Sequence, residues 1–337
     1  EGLTVTGSGT RLDTLDSGVA IAKTATGVRI IGNTIVDNLI GVDVQGGRDA
    51  LVRGNTIIGR EGQHKAELGS GVYVWNAPGL VVEDNTISKG RDGIFVTSSH
   101  DAVYRDNRMI ALRFAFHSMN ANKIEVRGNV SAGNDLGFAF MYSRDVVAAD
   151  NVSQGDRTHG ILLNYVTGGE VAHNAVQGGE VCLFVYNVNK ARVAGNSFEG
   201  CRIGVHFTGG SQQVAMTGNA FVANRTQVKY VGTRWLEWSE DGRGNAWSDH
   251  VAFDVNGDGI ADSPYRPNDS IDQLVWSQPM AKLLLGSPAV QLVKWSQSRF
   301  PGLLPGGVVD SHPLMRAADA GPVSSTTPPA DTGEQGP

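Results

Sequence analysis

Short apolar columns recur along this chain, and each is keyed to an asparagine. Nine dipeptides of the Gly-Asn, Asp-Asn or His-Asn type hold Asn33, Asn55, Asn85, Asn107, Asn129, Asn151, Asn174, Asn196 and Asn219, at intervals of 22, 30, 22, 22, 22, 23, 22 and 23 residues. Three places before these asparagines stand Ile30, Val52, Val82, Tyr104, Val126, Ala148, Val171, Val193 and Met216. Two places after them stand Ile35, Ile57, Ile87, Met109, Ser131, Ser153, Val176, Phe198 and Phe221. Both columns are mostly apolar and alternate with polar positions, which is the period of a strand with one buried face. Asn and Gly tolerate positive φ, so each dipeptide marks a sharp corner between strands. A repeat that returns the chain to the same corner, one strand spacing of ~4.8 Å further along, predicts an all-β right-handed parallel β-helix of the pectate-lyase-like kind. The stacked corners would let the asparagine amides hydrogen-bond in a ladder. A leucine-rich repeat has a similar period but needs recurrent leucines and a helical segment in each repeat; neither is present. The single long interval coincides with a polar stretch at residues 60–68, read as an insertion, and Gly244-Asn245 is a degenerate tenth corner.

A second strand follows each corner: Gly41-Val42-Asp43-Val44, Gly71-Val72-Tyr73-Val74, Gly93-Ile94-Phe95-Val96, Ala115-Phe116-His117-Ser118, Gly137-Phe138-Ala139-Phe140, Gly160-Ile161-Leu162-Leu163 and Gly204-Val205-His206-Phe207. Positions two and four are apolar almost everywhere and point inward, so positions three and five are expected to face solvent. The third column then carries Asp43, Tyr73, Phe95, His117, Ala139, Leu162 and His206. The fifth carries Gln45, Trp75, Thr97, Met119, Met141, Asn164 and Thr208. Met119 and Met141 share a column on adjacent coils, and His117 shares the strand and face of Met119. Two thioethers and an imidazole on one surface suit Cu(I), a soft ion. Packing beneath a loop or partner is the competing explanation for the methionines. An exposed strip with Trp75 and Phe95 also suggests docking.

Composition narrows the function classes. The 44 glycines, with only 7% aromatic and 18% charged residues, fit many short strands joined by tight turns. A net charge of -6 argues against a nucleic-acid partner. No apolar run is long enough for a membrane span. Cys182 and Cys201 form no CxxC motif and imply no disulfide framework by themselves. Hydrolase chemistry needs paired carboxylates in one cleft, whereas Asp43 stands alone in the outward columns; Asp135, Arg144, Asp145 and Asp156 are loop candidates for a lyase. A second metal-type pattern runs through Asp254, Asn256, Asp258 and Asp262, oxygen donors at positions one, three, five and nine with Gly257 and Gly259 between, as in the first part of a calcium loop. Tyr265 stands where a bidentate Glu is needed, so Ca²⁺ or Mg²⁺ would be a structural ion there.

The asparagine coils, the Asp254–Asp262 loop with Ser263-Pro264-Tyr265-Arg266, and Asp310-Ser311-His312-Pro313-Leu314-Met315 together resemble the NosD family of periplasmic β-helix proteins. The resemblance covers residues 1 to about 316. It implies non-catalytic accessory work: receiving Cu(I) from the copper lipoprotein NosL, docking on the ABC transporter formed by NosF and NosY, and serving the maturation of nitrous oxide reductase. It brings no ligand set with it. The rival is a polysaccharide-binding protein, lyase or epimerase, in which Trp75 and Tyr73 would stack on sugar rings. Family members carry additional coils before the first one here, and a periplasmic address implies a signal peptide, so both are expected upstream of Glu1. The expected layout is coils over 1–235, a degenerate last coil with the Asp-rich loop over 236–271, a helical docking or capping segment over 272–316, and a disordered tail over 317–337.

Overall fold

Each coil of the chain contributes one strand to each of three parallel sheets. The computed structural model describes residues 1–61, 64, 67–268, 270–284, 286–299 and 306–317. Strands such as Thr34–Asn38, Thr56–Gly59 and Thr86–Ser88 stack into an eleven-stranded sheet, the first sheet. Ile40–Gln45, Val72–Trp75 and Asp92–Thr97 belong to a ten-stranded second sheet, and Arg29–Ile31, Leu51–Arg53 and Val81–Glu83 to a nine-stranded third. The result is a parallel β-helix, as the asparagine spacing predicts. Register keeps like above like: Ile57 pairs with Ile35 and Ile87, and Ile87 with Met109. These columns, with Val52, Val82, Tyr104 and Val126, form one continuous buried core along the coils.

Positive φ falls on the residue before the asparagine, not on the asparagine itself: Gly54 has φ 63°, Asp84 56°, and even His173 55°. The reason is the side chain. It is the left-handed residue that turns the corner, which leaves the asparagine free to aim its amide inward. Asn55, Asn85, Asn107 and Asn129 are almost wholly buried. Each amide Nδ2 donates to the Oδ1 of the asparagine one coil on, Asn107 to Asn129 at 2.9 Å and Asn129 to Asn151 at 3.0 Å, while the same Oδ1 accepts the backbone N–H of the coil before. The second amide hydrogen of Asn129 goes to the carbonyl oxygens of Tyr104 and Arg127. Every polar atom in this buried corner is therefore satisfied, as burial requires.

The ladder ends on an acid. Asn245 is a true rung, accepting from Asn219 at 2.9 Å, and its own backbone N–H donates to Asp310 Oδ2 at 2.7 Å. Trp247 Nε1 donates to the same oxygen at 2.8 Å. Asp310 is completely buried, and that burial pushes its carboxyl above the usual range although four donors partly offset the effect. The strand Gly307–Val309 brings it there by pairing with Trp235–Glu237. Leu314 then packs on Ala220 and Ala246, and Ile260 of the Asp-rich loop joins them. The segment expected at 272–316 thus serves two ends. Residues 307–315 close the last coil, while helix α1 (Ser270–Ser277), a 3-10 turn (Pro279–Leu284) and helix α2 (Pro288–Arg299) form the two expected helical pieces. The tail expected at 317–337 lies outside the described residues beyond Ala317, and the insertion at 60–68 is described only in part.

Cys182 and Cys201 form a disulfide between buried positions, 19 residues apart and so on adjacent coils. Closing a loop of that size stabilises a fold by about 3 kcal/mol in the chain-entropy picture.

Replacing one inner rung tests the ladder. Asn129→Ala removes the acceptor of the Asn107 backbone N–H and of one hydrogen of its side-chain amide, and the donor to the Tyr104 and Arg127 carbonyls, which costs on the order of 3 kcal/mol. Urea unfolding of the variant should show a midpoint lowered accordingly. An unchanged midpoint would mean that the ladder is decoration on a core that needs only its apolar columns.

Candidate functional site

The outer face of the second sheet is where the chemistry-bearing side chains gather. Met119 and Met141 are register partners on adjacent coils, as the column argument requires, and both are partly exposed. His117 pairs with Ala139 on the same two strands. Its side chain does not lie open to solvent, however. His117 is only 7% exposed, and Asp43, Ala139 and Leu162 of the same column are buried too. The expectation that position three faces solvent is corrected here. Alternation assigns a residue to the outer face, but bulky neighbours in the flanking columns cover that face.

The cover over His117 is aromatic and ionic. Phe114 stacks on the imidazole with centroids 4.6 Å apart, and Phe95 lies on its other side at 4.8 Å. The Arg113 guanidinium sits over Phe114 and grips Asp92 in a two-pronged bond at 2.7 and 2.8 Å. Asp92 is wholly buried, 3.6 Å from His117 Nδ1. Burial alone would raise its carboxyl, but the neighbouring His117, the Arg113 bond and the charges of Arg113 and Arg91 hold it below the usual range. Neither ring nitrogen of His117 has a hydrogen-bond partner within reach, which is costly for a buried imidazole. Met141 packs with Phe114 on the small apolar cluster of Leu136, Ala139 and Leu162, so the methionine and the histidine share one wall.

Beside the methionines runs an aromatic stack that the sequence columns did not single out. Tyr142 and Tyr165 follow Met141 and Asn164 at the next corner, with φ of 52° and 53°. Other coils place Asn76, Ser98, Asn120 and Asn187 there, residues better suited to left-handed backbone than tyrosine is. The two rings stack at 5.2 Å, and Tyr186 meets Tyr165 edge-on at 5.7 Å. The signal was available: two tyrosines occupy a column otherwise held by small polar residues.

Other expected groups do not converge. Asp43 is buried, held up by that burial, and bonded to Gln45. Asp156 is fully buried between Ser131 and Ser153, Asp135 pairs with Arg157, and Arg144 and Asp145 are exposed. His206 lies four coils from His117, and burial chiefly depresses its imidazole to about 4. In the Asp-rich loop, Asp254 accepts the amides of Gly257, Asp258 and Gly259, Asn256 that of Asp258, Asp258 that of Ile260, and Asp262 that of Val255. These bonds account for the loop without an ion. Among the described residues, no group of three or more His, Cys, Asp or Glu is arranged to hold a metal; a thioether site lies outside that description.

The fold is a parallel β-helix that gathers a methionine pair, a covered histidine and stacked tyrosines along its second sheet. Residues 54–252 match the family described as "Periplasmic copper-binding protein (NosD)". The chain is 38% identical over 331 residues to a protein of Stutzerimonas stutzeri named "Probable ABC transporter binding protein NosD", covering 94% of this chain and 76% of the relative. A protein of the same name from Pseudomonas aeruginosa is 38% identical over 336 residues, covering 96% and 78%. This chain belongs to the NosD family. Among solved structures it resembles an exopolygalacturonase of Thermotoga maritima (TM-score 0.50, 13% identity, 64% of this chain and 55% of that one). It also resembles the tailspike protein of the Escherichia coli bacteriophage HK620 in complex with pentasaccharide (TM-score 0.51, 18% identity, 61% and 44%). At such identities these two share the fold alone.

Asp92 offers a test of the site's scaffold. Its carboxyl is depressed in the folded protein, so its contribution is fully present above the ordinary carboxylate range and is lost as pH falls through the depressed value. Asp92→Asn should cost about 3 kcal/mol at neutral pH, the scale for breaking a buried ion pair. The gap between wild type and variant should shrink in acid; a gap independent of pH would show that the charge is not what Arg113 holds.

Proposed function

We propose that this protein accepts Cu(I) in the periplasm at His117, Met119 and Met141 and delivers it for copper-site maturation of nitrous oxide reductase. The observation that carries the reading is the pairing of two thioethers in register beside a buried imidazole whose ring nitrogens accept or donate no hydrogen bond, its Nδ1 facing Asp92 across 3.6 Å. Thioether ligands favour Cu(I) over Zn²⁺ or Mg²⁺. Few ligands and partial exposure suit an ion that must leave again. Membership of a family described as periplasmic and copper-binding supports the cargo, and the relatives' name supports an ABC transporter, NosF and NosY, as the docking partner. NosL would be the donor. Ca²⁺ or Mg²⁺ at Asp254, Asn256, Asp258 and Asp262 would be structural only, held by the carboxylate lone pairs that the amide bonds there leave free.

A binder rather than a sugar-processing enzyme is favoured by the same surface. Asp92 beside His117 is spent on Arg113, and Asp43, three coils before His117 in its column, on Gln45. Tyr142 and Tyr165 stack on one another, which uses one face of each ring that a sugar would need.

The double variant Met119→Ala with Met141→Ala tests the cargo site. Competition against a Cu(I) chelator should show affinity weakened on the order of 100-fold, at the upper end of what altered metal shells cost. Thermal unfolding should barely move, since both side chains are partly exposed. Equal affinity in variant and wild type would sink the assignment.

Docking is tested separately. The described helical segment exposes Met280, Leu283, Leu284, Leu292 and Trp295, with Leu283 80% exposed. Deleting 273–316 would also remove the Asp310 rung, so substitution is the sharper experiment. Leu283, Leu284, Leu292 and Trp295 changed together to Ser should leave the coils folded and abolish co-purification with the transporter. Retained co-purification would move the docking surface elsewhere.

A further inference from the structure

The last two coils carry a cationic cavity that the copper reading does not use. It lies between the outer face of the second sheet and helix α1, has a volume of about 370 Å³, and is lined by Arg202, Arg225, Lys229, Asp272, Val275 and Trp276 among others. Its charges follow from register. Ile203 pairs with Thr226, which sets Arg202 and Arg225 on successive rungs of one column, and His206 pairs with Lys229 on the same two strands. One coil earlier the column holds Glu180, which forms an ion pair with Arg202. Arg225 comes next, with no acid of the solenoid beyond it, since that sheet ends on this coil. Among the described residues, neither Arg225 nor Lys229 has a side-chain ion pair.

The surroundings bear the mark of positive charge left over. Burial and the charge of Arg202 lower Lys229, and burial together with Lys229, His159 and Arg202 depresses His206. Asp272, in the first turn of α1, is the carboxylate on the lining, and Glu180 is already engaged. Three cations against those two acids leave an excess of one. Guanidinium groups present planar donors that match phosphate oxygens, and an ammonium adds a point charge. Val275, which is buried, and Trp276 supply an apolar wall on the helix side. The volume sits at the lower end of the range for small-molecule sites.

We propose that this cavity binds a small organic phosphate, its phosphoryl group held by Arg202, Arg225 and Lys229 and its organic part laid against Val275 and Trp276. The same chemistry is offered by a soluble phosphomonoester and by the headgroup of an anionic phospholipid. The exposed Leu274, Met280 and Leu283 of the neighbouring helical segment are compatible with the second source. The site is separate from the methionine pair, so it stands or falls independently of copper.

Two arms distinguish the sources. The first titrates the full chain with glycerol 3-phosphate and with inorganic phosphate by calorimetry. The second sediments it with phosphatidylglycerol vesicles and with phosphatidylcholine vesicles. Saturable binding of glycerol 3-phosphate assigns a soluble ligand; sedimentation with phosphatidylglycerol alone assigns the headgroup. In whichever arm binds, Arg225→Gln with Lys229→Gln should weaken binding by about tenfold or more, the worth of one lost charged hydrogen bond. Asp272→Asn should strengthen it by removing the opposing carboxylate. Both changes spare the core, and far-ultraviolet circular dichroism checks that the coils persist. No binding in either arm would overturn the proposal, and so would binding indifferent to Arg225 and Lys229. In that case the cations serve only to hold α1 through Asp272, and Asp272→Asn would loosen the helix instead.

Discussion

The rest of the structure depends on a hydrogen bond that no coil can complete by itself. Each asparagine hands one hydrogen of its side-chain amide to the asparagine one coil on, and that neighbour's oxygen also takes the backbone N–H of the first. A coil cut from the stack would expose or bury these groups unpaired, at a cost per group comparable to much of a domain's net stability. Stability is therefore shared between nearest neighbours, as in other solenoids. The end of the ladder at the last coil becomes the difficult place. Ahead of Asn33 the backbone N–H of Leu3 already supplies what an asparagine's N–H supplies elsewhere, donating to the Asn33 amide oxygen. At the finish, the acceptor must come from outside the repeat, and Asp310 arrives from 65 residues away in sequence to supply it. A carboxylate has the acceptor oxygens this requires, and four donors surround it. Its burial opposes the charge, which explains why the carboxyl is held above its ordinary range.

How much of this is legible in sequence depends on whether a signal repeats. The corners and apolar columns recur nine times, and the period alone determines the fold. Asp310 occurs once, off the period, within a motif whose value in sequence is only its resemblance to a family. Its structural duty could not be read from spacing. Cys182 and Cys201 are an intermediate case. Their separation of 19 is close to one coil, so the two thiols fall on neighbouring coils near the same corner. Combining the cysteine positions with the coil period would have suggested the bridge. An oxidised pair also fits an oxidising compartment better than a reducing one, in line with a family described as periplasmic.

The site was half legible. Met119 and Met141 fall in one column by count, and the register agrees. The burial of His117 was not readable, because period-2 alternation tells inside from outside but not bare from covered. What covers it is a set of long side chains one column over, Phe114 and Arg113 above all, whose reach is a matter of rotamers. The Asp-rich loop is ambiguous in sequence for another reason. Asp and Asn at alternate positions around glycine serve equally to ligate a cation or to accept the amides of a tight turn. The backbone bonds to Asp254 and Asp258 show the second use.

The ladder also limits how the proposed delivery could work. Met141 and the last coil of its sheet are four coil spacings apart, ~19 Å along the axis. Between them every corner is locked by the asparagine chain and every strand is paired on both sides. Such a stack has no hinge. The separation between the methionine pair and the helices beyond the last coil is then set by the number of coils, with nothing in the solenoid able to shorten it. A carrier of this build offers its ion at a fixed height above whatever its helices rest on. The movement that brings donor and acceptor to the methionines in turn must come from the partners. Two partly exposed thioethers on a rigid face, with the imidazole covered behind them, serve that arrangement better than a closed cage would, because partners of fixed approach need to reach the ion. The strained tyrosines at the next corner fit the same logic: Tyr142 and Tyr165 brace one another on stiff backbone beside Met141, giving an approaching surface an ordered edge to meet.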